Sequence, residues 1–246
     1  MSDSAANLGI SNRALTGLSL LEPAPVAARR DAWLLLETVS VTTAVILAIR
    51  YLAQTALAGT LWFLGPVVLV AAALLPAIVR KDRFPEIGWS KRRVKEILPV
   101  LASTCVVVFG ATFAGLWLLK LYGFQPPLRV ARPPGGQLLS WIFYQFLYVA
   151  VAEEVFFRGY LQSNLLRLAS TAKCHPFLKN WISIVVCACF FAGAHIIVQG
   201  NPASALTFFP GVILGWLFIR TKSLLAPIIF HALANTCYCI MTTALA

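Results

Sequence analysis

The sequence LLSWIFYQFLYVAVAEEVFFR, residues 138–158, combines an apolar run long enough to enter a bilayer with two adjacent carboxylic acids. From residue 97 to the C-terminus, Glu153 and Glu154 are the only acidic residues. A charge at the centre of a bilayer costs roughly 2.5–3.5 kcal/mol on insertion scales. Two acids side by side therefore indicate a functional site inside a membrane-spanning helix.

The composition of the whole chain places this stretch in a membrane protein. Of the 246 residues, 59% are hydrophobic and only 12% are charged, whereas a soluble domain carries about 25% charged residues. Apolar segments follow one another closely, at residues 33–49, 61–79, 97–119, 138–167, 181–198, 203–219 and 224–245. We predict an all-α fold, a polytopic membrane helix bundle of about seven transmembrane helices, with seven to eight as the range.

The basic residues are distributed as in a membrane protein rather than a nucleic-acid-binding one. The net charge is +11, and of the 20 Lys and Arg residues 15 fall on the N-terminal side of the predicted spans, four on the other side, and Arg158 within a span. Because cytoplasmic loops are enriched in Lys and Arg, this predicts a cytoplasmic N-terminus. We predict a flexible cytoplasmic tail at residues 1–31, one membrane domain at residues 32–246, the lipid bilayer as a partner and no nucleic-acid partner.

The two acids and the arginine that follows them suggest two different roles. Glu154 and Arg158 are four residues apart, so they can form an ion pair along one face of a helix. Glu153 points roughly 100° away around the same helix. The pattern offers one acid neutralised by Arg158 and one acid free to face a cavity. Taken alone, the Glu154–Arg158 pair is more often structural than functional.

Two histidines lie in other predicted spans, each at helical spacing from a second residue. Phe191 and His195 are four residues apart, as are His231 and Asn235, so each pair shares a helix face. A carboxylate and an imidazole can take and relay a proton of water, and an imidazole with an Asn amide can stabilise an oxyanion. This equipment predicts hydrolysis of an acyl bond, with Glu153 as the free acid, without a metal or a nucleophilic side chain.

Distances along the sequence place the two histidines at different depths. Counted from the predicted start of its span, His195 lies ~21 Å in and His231 ~10 Å in, at a rise of 1.5 Å per residue. They can meet only if their helices are tilted, kinked or offset.

Other functions fit parts of the pattern. Buried Glu and His also build proton relays, so a proton-coupled carrier is an alternative, although the internal repeats typical of carriers are not visible. Glu153, His195 and His231 could form the ligand set of a zinc peptidase, but the usual His-Glu-x-x-His helix is absent. A lone membrane histidine more often joins helices by hydrogen bonds, and a non-catalytic scaffold would keep the same residues. Glu37, in the first span, has no assigned role.

The cysteines and His175 are assigned no role in the site. Five of the six cysteines lie in apolar segments, where Cys acts as a small hydrophobe. The Cys-x-Cys pairs at 187/189 and 237/239 point to nearly opposite sides of a helix, so neither can chelate a metal locally. We predict no metal and no cofactor.

Three of these motifs together resemble those of a known family. Glu-Glu-x-x-x-Arg, Phe-x-x-x-His and His-x-x-x-Asn follow one another in this order, each on a hydrophobic span, between about residues 138 and 245. They are similar to the motifs of the CAAX-protease and bacteriocin-processing family, the type II CAAX prenyl endopeptidase-like glutamic intramembrane proteases. The spans before residue 138 resemble the family only in hydropathy.

The resemblance implies an intramembrane endopeptidase that cleaves a membrane-associated protein or peptide. It implies that Glu153 and His195 activate water and that His231 and Asn235 form the oxyanion hole. The residues implied to shape the site or contact the substrate are Glu154, Arg158 and Phe191. Some family members cut prenylated C-terminal tails and others process different peptides, and the sequence does not select among them. The short, Ala-rich chain resembles a prokaryotic member, which implies a plasma-membrane location and leaves the oligomeric state open.

Overall fold

The computed structural model describes residues 24–55, 63–81, 94–128, 137–171 and 175–245. Within these ranges seven helices and no strands are found: α1 Ala24–Gln54, α2 Leu64–Val79, α3 Val94–Leu121, α4 Leu138–Thr171, α5 Pro176–Gln199, α6 Pro202–Thr221 and α7 Leu225–Leu245. Six of them are long and apolar enough to cross a membrane, and α2 is the short one, at 16 residues. The predicted all-α membrane bundle is confirmed.

The first helix starts earlier than the sequence predicted. α1 begins at Ala24, so residues 24–31, which were predicted to belong to a flexible tail, are its first turns. Pro25 is compatible with this start because the N–H groups of the first helical turn have no partner within the helix. The rest of the predicted tail, residues 1–23, lies outside the described ranges.

The central helix of the bundle is α4, and its residues 155–164 are buried on every side. Phe156, Tyr160 and Leu161 are at most 2% exposed. They pack in one core with aliphatic residues of α1 and α2 and with Phe191 of α5. A helix that is buried all round must be apolar on nearly every face, and the run VFFRGYL meets this condition except at Arg158. The acid pair therefore lies where α4 enters the buried core of the bundle.

The third helix shows how the bundle meets its surroundings. On its outer face Val106 and Val107 are 75% and 69% exposed, as expected of side chains that face lipid. On its inner side Leu101 belongs to a second apolar cluster with residues of α6 and α7. In that cluster Phe109 stacks on Phe230 of α7, with ring centres 5.5 Å apart. This packing holds α7, which carries His231, against α3.

A polar network joins the first two helices to α4. The Glu37 carboxylate of α1 accepts hydrogen bonds from Arg80, just after α2, and from the Tyr160 hydroxyl, the latter at 3.2 Å. Arg80 also donates to the Asn164 side chain at 3.4 Å. Glu37, which had no assigned role, is thus an interhelical group. In sequence it lies far from the motifs that contain the two histidines.

Candidate active site

The acid pair lies in a short α-helical segment between two π-helical ones. Within α4, Gln145–Ala150 and Val155–Gln162 are π-helical, whereas Val151–Glu154 is α-helical. π turns close with i→i+5 hydrogen bonds, are rare, and occur frequently at functional sites. The side chains of α4 therefore do not follow the constant 100° step of an ideal α-helix.

Glu154 is fully buried and bonded on one oxygen by two groups. Its Oε1 accepts hydrogen bonds from Arg158 Nη1 at 2.8 Å and from His231 Nδ1 at 2.7 Å. The intrahelical ion pair that the sequence predicted is present, whereas the bond to His231 was not predicted. Glu154 thus holds α7 to α4 at the point where the histidine motif begins.

Arg158 is also fully buried, and all its contacts are within the protein. Besides its bond to Glu154, it donates through Nη2 to the Gly211 carbonyl at 3.0 Å, and its guanidinium carbon lies 4.8 Å from the centre of the Phe191 ring. This distance is within the range of a cation–π contact. Of the two predicted roles for Arg158 and Phe191, burial favours shaping the site over contacting the substrate.

Gly211 allows α6 to come close enough for this contact. A Cβ at this position would lie 3.3 Å from Ala188 and 3.3 Å from the Phe191 ring, which is tighter than ordinary van der Waals contact. The glycine therefore lets the backbone carbonyl of α6 reach Arg158 while α5 and α6 pack against each other.

Glu153 faces both histidines. Its Oε2 lies 4.0 Å from His195 Nε2 and 3.8 Å from His231 Nε2. The Glu153 side chain is 20% exposed, whereas that of Glu154 is completely buried. Both separations exceed a direct hydrogen bond. The three side chains that the sequence placed on three different spans thus converge.

The difference in depth between the histidines is accommodated by the positions of their helices. His195 lies near the end of α5, and His231 lies near the start of α7. Both nonetheless approach the same carboxylate oxygen. The two helices are therefore tilted, kinked or offset relative to each other, as the sequence required.

The hydrogen bonds of the two imidazoles determine which nitrogen faces Glu153. His195 Nδ1 is 2.9 Å from the Phe191 carbonyl oxygen, which can only accept, so Nδ1 carries a hydrogen. His231 Nδ1 donates to Glu154 in the same way. In both rings Nε2 is therefore the atom turned towards Glu153. Phe191 also packs against the His195 ring, with centres 4.4 Å apart.

Asn235 has a partner that the sequence did not predict. Its Nδ2 donates to Gln145 Oε1 at 3.0 Å. Gln145 precedes Glu154 by nine residues, which is two and a half turns of an ideal α-helix, so the sequence places the two on opposite sides. In the structure both bond to α7, because the first π-helical segment lies between them. The signal available in the sequence was Gln145 itself, a polar residue in an otherwise apolar run.

An apolar cavity of about 190 Å³ opens beside Glu153 and His195. Its walls come from four helices, α1, α2, α4 and α5, and include Ile46, Leu69, Tyr148 and Phe157. Two of the four helices, α1 and α2, precede the segment that carries the motifs. The carboxylate and the imidazole are thus polar groups in a mostly apolar space, as is typical of small-molecule sites.

The remaining candidates lie outside this arrangement. His175 caps the N-terminus of α5 by accepting from the Phe177 amide at 3.2 Å. Cys187 is buried and donates to the Phe157 carbonyl, and Cys174 lies outside the described residues. Among the residues that the structure describes, no group of three or more His, Cys, Asp and Glu is arranged to hold a metal ion.

Part of the chain matches a known protein family. Residues 135–237 match the family described as "Type II CAAX prenyl endopeptidase Rce1-like". The matched segment runs from the start of α4 into α7 and contains the three motifs and Gln145. It does not include α1 and α2, which supply part of the cavity wall, or α3. No curated protein and no solved structure matches the chain.

Proposed function

We propose that this integral membrane protein belongs to the Rce1-like type II CAAX prenyl endopeptidase family, whose model residues 135–237 match, and that it cleaves a membrane-associated protein or peptide with Glu153 as the base. The observation that carries the proposal is the position of Glu153 Oε2 within 4.0 Å of Nε2 of both His195 and His231, beside an apolar cavity. No nucleophilic side chain and no cofactor is required.

In the proposed first step, Glu153 and His195 act on one water molecule. The carboxylate takes a proton of the water while Nε2 of His195, which carries the lone pair in the neutral ring, accepts a hydrogen bond from it. The water oxygen forms a bond to the carbonyl carbon of the substrate. The separation of 4.0 Å between the two side chains leaves each within hydrogen-bond reach of a shared water.

In the same step, negative charge develops on the carbonyl oxygen of the substrate. We assign its stabilisation to His231 Nε2–H and to the second N–H of the Asn235 amide. Because His231 Nδ1–H is donated to Glu154, a donor at Nε2 requires the ring to carry both protons. The imidazolium and Arg158 then balance the charges of Glu153 and Glu154, which makes this protonation state compatible with a buried site.

The tetrahedral intermediate collapses when the carbon–nitrogen bond breaks. The proton that Glu153 took from water passes to the leaving nitrogen, so the products are a new carboxylic acid and a new amine, and the enzyme returns to its initial state. The acid then gives its proton to the amine or to water. Glu153 thus serves first as base and then as acid.

The substrate is best identified by peptide mass mapping of membranes. Cells that produce the wild-type protein are compared with cells that produce Glu153→Gln at the same level. Peptides that gain a new terminus only with the wild-type protein define the cleavage site, and from them a quenched fluorescent peptide can be made for kinetics. No difference between the two membranes would contradict the proposed proteolysis and favour a carrier or a scaffold.

Chelation distinguishes this mechanism from that of a zinc peptidase. We expect cleavage of the mapped peptide to be unchanged, within about twofold, after prolonged dialysis against EDTA and phenanthroline, since the proposed chemistry uses only side chains and water. The measurement is kcat/KM before and after dialysis. Loss of activity that Zn²⁺ restores would instead assign Glu153, His195 and His231 to a metal.

We also propose that the protein lies in a prokaryotic plasma membrane with its N-terminus in the cytoplasm. The asymmetry of Lys and Arg described above supports the orientation, and the short, Ala-rich chain supports the prokaryotic membrane. Reporter fusions measure the orientation: a fluorescent protein on the N-terminus is expected to fluoresce, and alkaline phosphatase on the C-terminus is expected to be active outside. The opposite pair of results would reverse the topology.

A further inference from the structure

Gln145 is a buried amide in a stretch where an apolar residue would be expected. It lies between Tyr144 and Phe146 in α4, and only 6% of its surface is exposed. A buried amide in a membrane helix costs free energy unless it is hydrogen-bonded. Its Oε1 accepts a hydrogen bond from Asn235 Nδ2 at 3.0 Å. The contact therefore links an otherwise unexplained polar residue to one of the proposed oxyanion donors.

The backbone of α4 is shaped so that this contact can form. Glu154 bonds to His231, and Gln145 bonds to Asn235, four residues later on α7. In an unbroken α-helix, residues nine apart would point in opposite directions. The π-helical segment Gln145–Ala150 changes that relation, so α4 presents an acceptor to each of the two residues of the His-x-x-x-Asn motif.

The chemistry of the Asn235 amide gives this acceptor a role. The amide has one oxygen and an NH2 group with two hydrogens, and rotation by 180° exchanges them. In this structure Gln145 Oε1 accepts one N–H, so the nitrogen is the end of the Asn235 amide that faces Gln145. The other N–H remains for the substrate. In the reversed orientation the Asn235 oxygen would face the developing oxyanion and repel it.

We propose that Gln145 is a positioning residue that holds the Asn235 amide in the orientation needed to donate to the oxyanion. This inference rests on the proposed function, because it assigns Asn235 to the oxyanion hole. It adds a residue outside the three sequence motifs. It also assigns a role to the first π-helical segment of α4, which turns Gln145 towards Asn235.

The test uses the full-length protein and the quenched peptide made from the mapped cleavage site. Gln145→Leu removes the acceptor at similar size and is expected to lower kcat on the order of 10-fold or more, since misplacing a reacting group is costly, with KM changed less than about threefold. Gln145→Glu retains an acceptor oxygen and should recover most of that loss. In an Asn235→Ala background, Gln145→Leu should have no further effect on kcat, because its action passes through Asn235.

The matched control is Gln162→Leu. Gln162 is also a buried glutamine of α4, but it donates to the Gly215 carbonyl of α6 at 3.1 Å. The variant is expected to lower the melting temperature while kcat per folded molecule stays within about twofold. A loss of kcat for Gln162→Leu as large as for Gln145→Leu would mean that any buried amide of α4 is needed for packing alone, and would overturn the proposal.

The outcomes separate this inference from the function on which it rests. If Asn235→Ala lowers kcat by about 10²-fold but Gln145→Leu retains it, or if the two changes are additive, the positioning role is wrong and the oxyanion hole stands. If Asn235→Ala retains wild-type kcat, the oxyanion assignment fails and the role of Gln145 fails with it.

Discussion

Glu153→Gln is expected to lower kcat for the mapped peptide by at least about 10²-fold while the protein still inserts and folds. The change removes the basic group but keeps the size of the side chain and a hydrogen-bonding group, and loss of a general base costs about 10²–10⁴-fold. Because Glu153 contacts the two histidines at 3.8 and 4.0 Å rather than through direct hydrogen bonds, few native bonds are lost. The measurements are kcat, KM and the melting temperature in detergent.

A second Glu→Gln change provides the control. Glu37 is the interhelical acid bound by Arg80 and Tyr160, and it does not line the cavity. Glu37→Gln should lower the melting temperature through the loss of a charged partner and leave kcat within about twofold. Near-normal cleavage by Glu153→Gln, at a level comparable to Glu37→Gln, would refute the role of Glu153 as base.

The helical bundle was predictable because the physics of a bilayer leaves few choices. An apolar segment in lipid has to be helical to satisfy its backbone groups, and this condition places each of the seven segments without any tertiary information. The ends were less predictable. Helix α1 starts at Ala24 and Pro25, in a region of prolines and arginines. This region was predicted to be a tail because hydropathy identifies residues that lie in the membrane and does not identify where a helix begins.

The convergence of the motifs was predictable, but the contacts among them were not. Spacing of four residues identified the Glu154–Arg158 pair, since that contact is made within one helix. The bond from His231 to Glu154 and the contact of Gln145 with Asn235 depend on how α7 packs on α4. A helical pattern of 3.6 residues per turn does not predict where π-helical segments occur. The orientation of Gln145 therefore became visible only in the structure.

Removing Arg158 is expected to destabilise the protein strongly, and removing Glu154 with it should recover part of that loss. Both side chains are completely buried and bonded to each other at 2.8 Å. Breaking a buried ion pair from one side costs about 3–5 kcal/mol, because a buried charge loses its partner. In Arg158→Gln the Glu154 carboxylate keeps only its bond to His231 and is expected to take up a proton. The double variant Glu154→Gln with Arg158→Gln leaves no such charge. Its recovery is partial because the hydrogen bond from Arg158 to the Gly211 carbonyl is lost in both variants.

A double-mutant cycle on unfolding free energy and on kcat/KM measures this coupling. The comparison pair is Glu37 with Arg80, which is partly exposed and should therefore couple more weakly, by no more than about 1 kcal/mol. Additive effects of Glu154→Gln and Arg158→Gln on stability would rule out the pair as a structural unit. If Arg158→Gln instead leaves stability unchanged and raises KM, Arg158 would bind the substrate. Because its side chain has no exposed surface in this structure, α4 would then have to open at Arg158 during the reaction.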